Sequence, residues 1–232
     1  MVPVSSGFSS MRWVWRYEDY VEREKFGPVT RSLLPLSLWG LKKWDLRAAR
    51  QPNYYIANSQ LVAQRIKQAI VIPPPIDVER FQTSSQIEDY YLVLSRLVPY
   101  KRIDLAIEAC KRLRRKLVII GDGPDRERLE KLAGPQTQFL GRQSDSQVNH
   151  YASHCRALLF PGEEDFGMVP LEVNAAGRPV IAFKGGGAVE TVVTPWASIA
   201  SGTSGANSST GRSLTMRRLA CRDLGQGSGW SR

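Results

Sequence analysis

From residue 90 to residue 183, short apolar runs alternate with segments of helical spacing, a pattern that admits few folds. Tyr90-Tyr-Leu-Val-Leu94, Leu117-Val-Ile-Ile120, Thr137-Gln-Phe-Leu140, Leu158-Leu-Phe160 and Val180-Ile-Ala-Phe183 read as strands. Between the first two, apolar residues at 103, 106, 107, 110 and 113 mark one face of a helix. Helices are also expected over 125–132, 145–155 and 169–176. Strands alternating with helices over short links make an α/β protein with a parallel, doubly wound sheet. Right-handed crossovers then set the C-terminal ends of all strands on one edge, where open sheets bind ligands.

The flanking segments differ. Residues 1–50 mix aromatic and charged residues and read as helical pieces without a core of their own. Asn53-Tyr-Tyr-Ile-Ala57 is expected to be a short strand. Asn58 or Ser59 caps a helix running to about Gln68, and Ala69-Ile-Val-Ile72 is a second strand. Pro73-Pro-Pro75 is a stiff connection and marks a domain boundary. Beyond Val193 the chain is rich in Ser, Gly, Thr and Arg, with Asp223 its one acidic residue. Such a stretch buries too little apolar surface to offset its ordering entropy. The expected division is therefore 1–75, 76–193 and a disordered low-complexity tail over 194–232.

A net charge of +10 on 232 residues favours anionic partners. Cys110, Cys155 and Cys221 are widely spaced, without a zinc or CxxC pattern, which points to a reducing compartment. No apolar run approaches the ~20 residues of a membrane span, and the N-terminus lacks the layout of a signal peptide.

Four loops at the expected ligand edge carry chemistry. The longest, Pro161-Gly-Glu-Glu-Asp-Phe-Gly167, follows an apolar strand and runs into the helix bearing Glu172. Gly167 and the residues after it, Met168 first, offer helix-start amides that can receive an anion. Glu172 can accept hydrogen bonds from two adjacent sugar hydroxyls, and Glu164 faces a second polar group. Ser95-Arg96-Leu-Val-Pro-Tyr-Lys101 brings two cations, a planar guanidinium and a point charge, suited to phosphate oxygens. Gly121-Asp-Gly123-Pro124 allows backbone to approach a ligand, although a plain tight turn accounts for it nearly as well. Lys184-Gly-Gly-Gly187, followed by Glu190, is the fourth, with a flexible turn the equal alternative. Two other signals read as structural. His150 and His154 stand four apart on a helix but no third metal ligand is evident, so no metal is expected. Lys111-Arg-Leu-Arg-Arg-Lys116 ends a helix, where cations suit the dipole, so no nucleic-acid partner is expected.

Taken together, these stretches resemble the nucleotide-sugar half of retaining glycosyltransferases of the GT-B fold, family 4. The residues carrying the resemblance are Ile56-Ala-Asn-Ser59, Pro75-Ile-Asp-Val-Glu-Arg-Phe81, Ser95 to Lys101, Gly121-Asp-Gly-Pro124 and Phe139-Leu-Gly-Arg142. Glu164-Asp-Phe-Gly with Glu172, and Ala175-Ala-Gly-Arg-Pro179, complete the set. The spacing of Glu164 and Glu172 is the specific element; the others are weaker singly. The phrasing is most similar to the mannosyltransferase-like branch that builds bacterial surface polysaccharides. The resemblance implies a Rossmann-like domain forming the C-terminal half of a GT-B fold. It implies that Arg96 and Lys101 hold the donor diphosphate and that Glu172 binds the ribose. Glu164 would contact the transferred hexose, and the backbone around Phe166, Gly167 and Met168 the hexose and phosphate. Gly121 and Gly123 are expected at the nucleotide. No cofactor or metal is implied. The donor is a nucleoside-diphosphate sugar, GDP-mannose by branch, and the acceptor a glycan or lipid-linked glycan. Configuration at the anomeric carbon would be retained.

Residues 1–75 resemble only the last part of the family's acceptor-side domain, and past Val193 the expected further strand and helix are replaced by the tail. The expectation is a truncated or frameshifted fragment. A cytoplasmic protein is implied, in peripheral contact with the anionic inner face of the cell membrane. The competing readings are an inactive fragment that only binds nucleotide sugar, and a basic polyanion-binding module.

Overall fold

The computed structural model describes residues 4–6, 14, 28–50, 52–66, 69–192 and 197–200. The chain divides into two compact units, Met1–Pro75 and Ile76–Arg232. The division falls behind the triple proline, which supplies no N–H to a sheet and holds its backbone near one φ.

In the first unit, strands β1 (Val4–Ser6), β2 (Tyr54–Ala57) and β3 (Ala69–Val71) form a parallel sheet in that order. Helix α1 runs from Pro28 to Ala48 through Pro35, and the short α2 spans Gln60–Arg65. Of the two capping candidates Ser59 fills the role: its Oγ accepts from Val62 N at 3.1 Å. One sequence expectation changes here. Val4–Ser6 is a strand within a segment that shows no strand pattern, and it pairs with Tyr54–Ile56. Three residues are too few for a periodicity, so only the backbone pairing reveals it.

The second unit runs β4 (Tyr91–Leu94), α3 (Ile103–Leu113), β5 (Leu117–Ile120), α4 (Arg126–Leu132) and β6 (Thr137–Gly141). It continues with α5 (Asp145–His154), β7 (Ala157–Phe160), α6 (Met168–Ala175), β8 (Val180–Phe183), α7 (Ala188–Thr191) and β9 (Ala197–Ala200). All six strands are parallel, in the order β6-β5-β4-β7-β8-β9. This is the doubly wound order of a Rossmann-like sheet, reversing direction between β4 and β7.

Strand side chains alternate between two cores. Leu92, Val118, Ile120, Leu158, Phe160, Val180 and Ala182 pack with Ala152 of α5 and Val173 of α6. Their neighbours Tyr91, Val93, Leu117, Ile119, Leu159 and Ile181 pack on the other face with Ile103, Ala106 and Ile107 of α3 and Leu129 of α4. Burial on both faces is why these strands read as continuous apolar runs. Cys110 and Cys155 belong to these cores, and burial pushes both thiols up to about 12. A buried Arg178 donates from Nε to Ser153 O at 2.6 Å and from Nη2 to Ser84 O and Gln86 O, tying the 84–86 segment to the core.

The expected disordered tail over 194–232 is corrected at its start. Ala197–Ala200 is a strand at the sheet edge, in register with Val180–Phe183. Ala197-Ser-Ile-Ala has one large apolar residue, so composition gives no strand signal; its backbone is held by the neighbouring strand. The further strand expected of the family is therefore present. Residues 201–232, and the helical pieces read over 15–27, lie outside the described residues.

Candidate active site at the strand-end crevice

The strand order reverses between β4 and β7, so the loops leaving these two strands line the crevice. The β4 loop is held by backbone bonds to the turn after β5: Ser95 N to Ile120 O and Leu97 N to Asp122 O, both 3.0 Å. Asp125 N also donates to Leu97 O at 3.1 Å. Gly121 and Gly123 explain why the loop comes so close. A Cβ on Gly121 would stand 1.9 Å from Ser95 O, and one on Gly123 would stand 2.2 Å from Leu97 O. The close approach read from these glycines is thus an approach of protein backbone, which seats the segment carrying Arg96.

Past Leu97 the chain makes a 3-10 turn, Pro99–Lys101, whose proline starts the turn and whose lysine ends it. The β7 loop lies directly on this lysine. A Cβ on Gly162 would stand 2.8 Å from both the Cα and the O of Lys101. Lys101 Nζ forms an ion pair with Glu164 Oε1, their side chains 14% and 24% exposed. Reduced access to water strengthens such a pair relative to one on the surface. Arg96 is exposed and has no carboxylate partner among the described residues.

The β8 loop grips the acidic loop from the other side. Gly187 N donates to Glu164 O at 2.7 Å. A Cβ on Gly186 would meet Glu164 O at 2.3 Å, and one on Gly187 would meet Phe166 Cα at 2.4 Å. Thr191, buried at the end of α7, donates from Oγ1 to Phe166 O at 3.4 Å. The Lys184-Gly-Gly-Gly187 run is therefore a clamp on the segment bearing Glu164.

Gly167 then turns the chain into α6 at φ 88°, a left-handed conformation that glycine accommodates readily. No side chain caps this helix. Its first amides have no intrahelical partners, and Pro170, in the first turn, has no amide to leave orphaned. Phe166 is buried and Met168 exposed. Glu172 lies one turn further on and is half-buried. Burial raises its pKa most; nearby Arg80 opposes the shift and Asp145 adds to it. Arg80 and Asp145 pair with each other at 2.7 Å.

The structure thus joins Lys101 and Glu164 directly, places Phe166, Gly167 and Met168 at the adjoining helix start, and puts Glu172 on that same helix. Gly121 and Gly123 act beneath the β4 loop. Sequence reading gave Gly162, Thr191 and Arg80 no role. Arg80 lies in the Pro75–Phe81 stretch, but nothing in spacing ties it to Glu172; Gly162 and Thr191 carry no local signal at all. His150 and His154 stack at 4.3 Å, and His154 Nε2 lies 3.1 Å from Ser84 Oγ.

Comparison with known proteins identifies the family and the fold. The profile of the family described as glycosyl transferases group 1 matches residues 76–199, more than half of the chain. The chain belongs to that family. It is 32% identical to an uncharacterized glycosyltransferase of Methanocaldococcus jannaschii, over 60% of this chain and 40% of that protein. It is also 32% identical to the GDP-mannose-dependent alpha-(1-6)-phosphatidylinositol monomannoside mannosyltransferase of Mycobacterium tuberculosis, over 52% of this chain and 39% of the relative. The O-antigen chain mannosyltransferase C of Escherichia coli is 27% identical over 72% of this chain and 48% of its own. The chain thus spans less than half the length of these relatives. Among solved structures, Anabaena HepE in complex with UDP and glucose superposes with TM-score 0.62 at 21% identity, covering 74% of this chain and 53% of that one. Sucrose-phosphate synthase from Thermosynechococcus elongatus gives 0.63 at 20% identity, over 74% and 50%. These likenesses establish the Rossmann-like, GT-B type of fold. Among the described residues no helix is long and apolar enough to cross a membrane.

Proposed function

We propose that the chain supplies the donor-binding half of a hexosyltransferase that uses a nucleoside-diphosphate sugar. The observation that carries this reading is the interlocking of the β4, β7 and β8 loops around the Lys101–Glu164 pair, at the strand-order reversal and beside the uncapped start of α6. In this reading Arg96 and Lys101 hold the diphosphate, with the amides after Gly167 completing the anion site. Glu172 accepts hydrogen bonds from the ribose hydroxyls. Glu164 faces the hexose while its pairing with Lys101 orients the ammonium. Breaking the sugar–phosphate bond develops negative charge on the leaving diphosphate, which fixed cations and helix-start amides stabilise without a metal. The transfer retains anomeric configuration, with the departing phosphate receiving the acceptor's proton.

GDP-mannose is the proposed donor, supported by the name of the mycobacterial relative, while that of the enterobacterial one supports mannose. A glycan or lipid-linked glycan is the proposed acceptor, reached by a cytoplasmic protein in peripheral contact with an anionic membrane. A thermal-shift series with GDP-mannose, UDP-glucose and the free diphosphates tests the donor site, because a ligand held only by the folded chain raises its stability. GDP-mannose is expected to give the largest shift. No shift with any of them removes the proposal. Binding without transfer to any glycan acceptor retains the donor site and replaces the enzyme by a nucleotide-sugar-binding chain.

A further inference from the structure

At the opposite edge of the sheet lies a second concavity, of about 270 Å³, lined by Lys111, Arg114 and Arg115 and by the turn 134–137. It sits at the N-terminal ends of β5 and β6. The four residues of β5 span roughly 13 Å, which separates it from the crevice. We propose that this pocket binds a phosphate group, a site separate from the donor crevice and independent of the donor reading.

Three observations carry it. The first is charge: neither lining stretch, 111–116 or 134–137, contains an acidic residue. Arg112 is engaged with Glu108 at 2.6 Å. Arg114 and Arg115 are exposed and have no carboxylate partner among the described residues.

The second is the position of these cations. A helix C-terminus attracts positive charge, and Lys111 meets that need by donating to Leu132 O at the end of α4, 3.4 Å away. Arg114 and Arg115 stand just past the last turn of α3, and neither side chain donates to a helix carbonyl among the described residues.

The third is backbone geometry. Arg115 N donates to Cys110 O at 2.9 Å and Arg114 N to Lys111 O at 3.3 Å, the bonding pattern of a Schellman motif. The residue at its turning point is ordinarily glycine. Here it is arginine, at φ 51° and ψ 43°. The chain keeps a guanidinium where the backbone favours no side chain.

Two guanidinium forks and one ammonium around a small concavity match a phosphate's tetrahedral oxygens. The volume is close to the lower end of small-ligand sites and is enough for a phosphate or diphosphate. The phosphate can come from a soluble polyphosphate or from an anionic lipid headgroup.

Hydrogen exchange on the full chain separates these sources and separates this site from the crevice. The probes are inorganic pyrophosphate, and vesicles of phosphatidylcholine with or without phosphatidylglycerol. Protection over 111–116 and 134–137 is expected with at least one probe. Pyrophosphate protection identifies a soluble source; protection by phosphatidylglycerol vesicles alone identifies a headgroup. The Arg114→Gly/Arg115→Gln variant is expected to bind at least tenfold more weakly. Glycine suits the left-handed position, so this variant should fold, and Lys111→Gln/Arg115→Gln provides a second. No protection over these segments, or equal protection in both variants, overturns the proposal. Protection confined to 95–101 and 161–168 also overturns it while leaving the donor site standing. Loss at those residues with protection kept at 111–116 does the reverse.

Discussion

The two edges of the six-stranded sheet are made by the same strands and carry different chemistry. At the C-terminal edge, loops leaving β4, β7 and β8 nest through glycines and interleave cations with carboxylates. At the N-terminal edge, α3 and α4 simply end, and the exposed residues of 111–116 are cationic, with no carboxylate in that stretch. The difference follows from chain direction. Helix N-termini collect at the first edge and present free amides, whereas helix C-termini collect at the second and present carbonyls that attract cations. An anion site at the first edge is built on backbone. One at the second must be built on side chains that outweigh the carbonyls.

The sharpest way to break this contrast is to add one methyl group at each edge. Gly187→Ala places a Cβ 2.4 Å from Phe166 Cα and 2.5 Å from Asp165 O, backbone atoms that cannot yield locally. A loss of about 2–4 kcal/mol in urea unfolding is expected, with donor binding abolished. Gly134→Ala meets only the Lys111 side chain, at 3.5 Å, so its unfolding free energy should stay within about 0.5 kcal/mol of wild type. Equal losses would show that the nested loops are not special.

Next in size are the site's charged groups. Lys101→Ala and Glu172→Ala should each weaken nucleotide-sugar binding by ~1–3 kcal/mol, measured by calorimetric titration. Unchanged titration curves for both would remove the assignment.

Protonation of Glu172 gives a finer test. Burial raises its folded pKa above the ordinary 4.5, so the folded chain binds the proton more tightly than the unfolded chain. Its contribution to stability is fully present below 4.5 and is lost as pH rises through the folded value. Glu172→Gln lacks this dependence. The wild type should therefore lose stability relative to that variant across the window, and parallel unfolding profiles would contradict the burial of this carboxyl.

The smallest effect belongs to the other edge. Arg114→Gly removes a side chain from a left-handed backbone position and should change stability by no more than about 1 kcal/mol, toward stabilisation. A large destabilisation would mean that Arg114 serves the fold.

Much of the second unit is legible in the sequence because both sheet faces are covered. Continuous apolar runs such as Leu117–Ile120, followed by turn residues, read as buried strands, and the residues between them keep helical spacing. The candidate site is legible as chemistry: Glu164, Glu172, Arg96 and Lys101 stand in loops and a helix start that the alternation places on one edge. What each glycine touches is not. Gly121 and Gly123 read as approaches to a ligand, yet their neighbours are Ser95 and Leu97, more than twenty residues away in sequence. Ala197–Ala200 escaped for a related reason, since its order comes from pairing with β8 and its composition shows no pattern.

The sequence by itself determined the fold class, the edge on which the site lies and the charge types that occupy it, because hydrophobic periodicity and residue chemistry are local properties. Tertiary structure decided which of those groups meet. It set Lys101 against Glu164, made the Lys184–Gly187 run a clamp on the acidic loop, and turned a basic helix end into a pocket. Each of these depends on backbones distant in sequence approaching within a few ångströms, a distance that spacing along the chain does not encode.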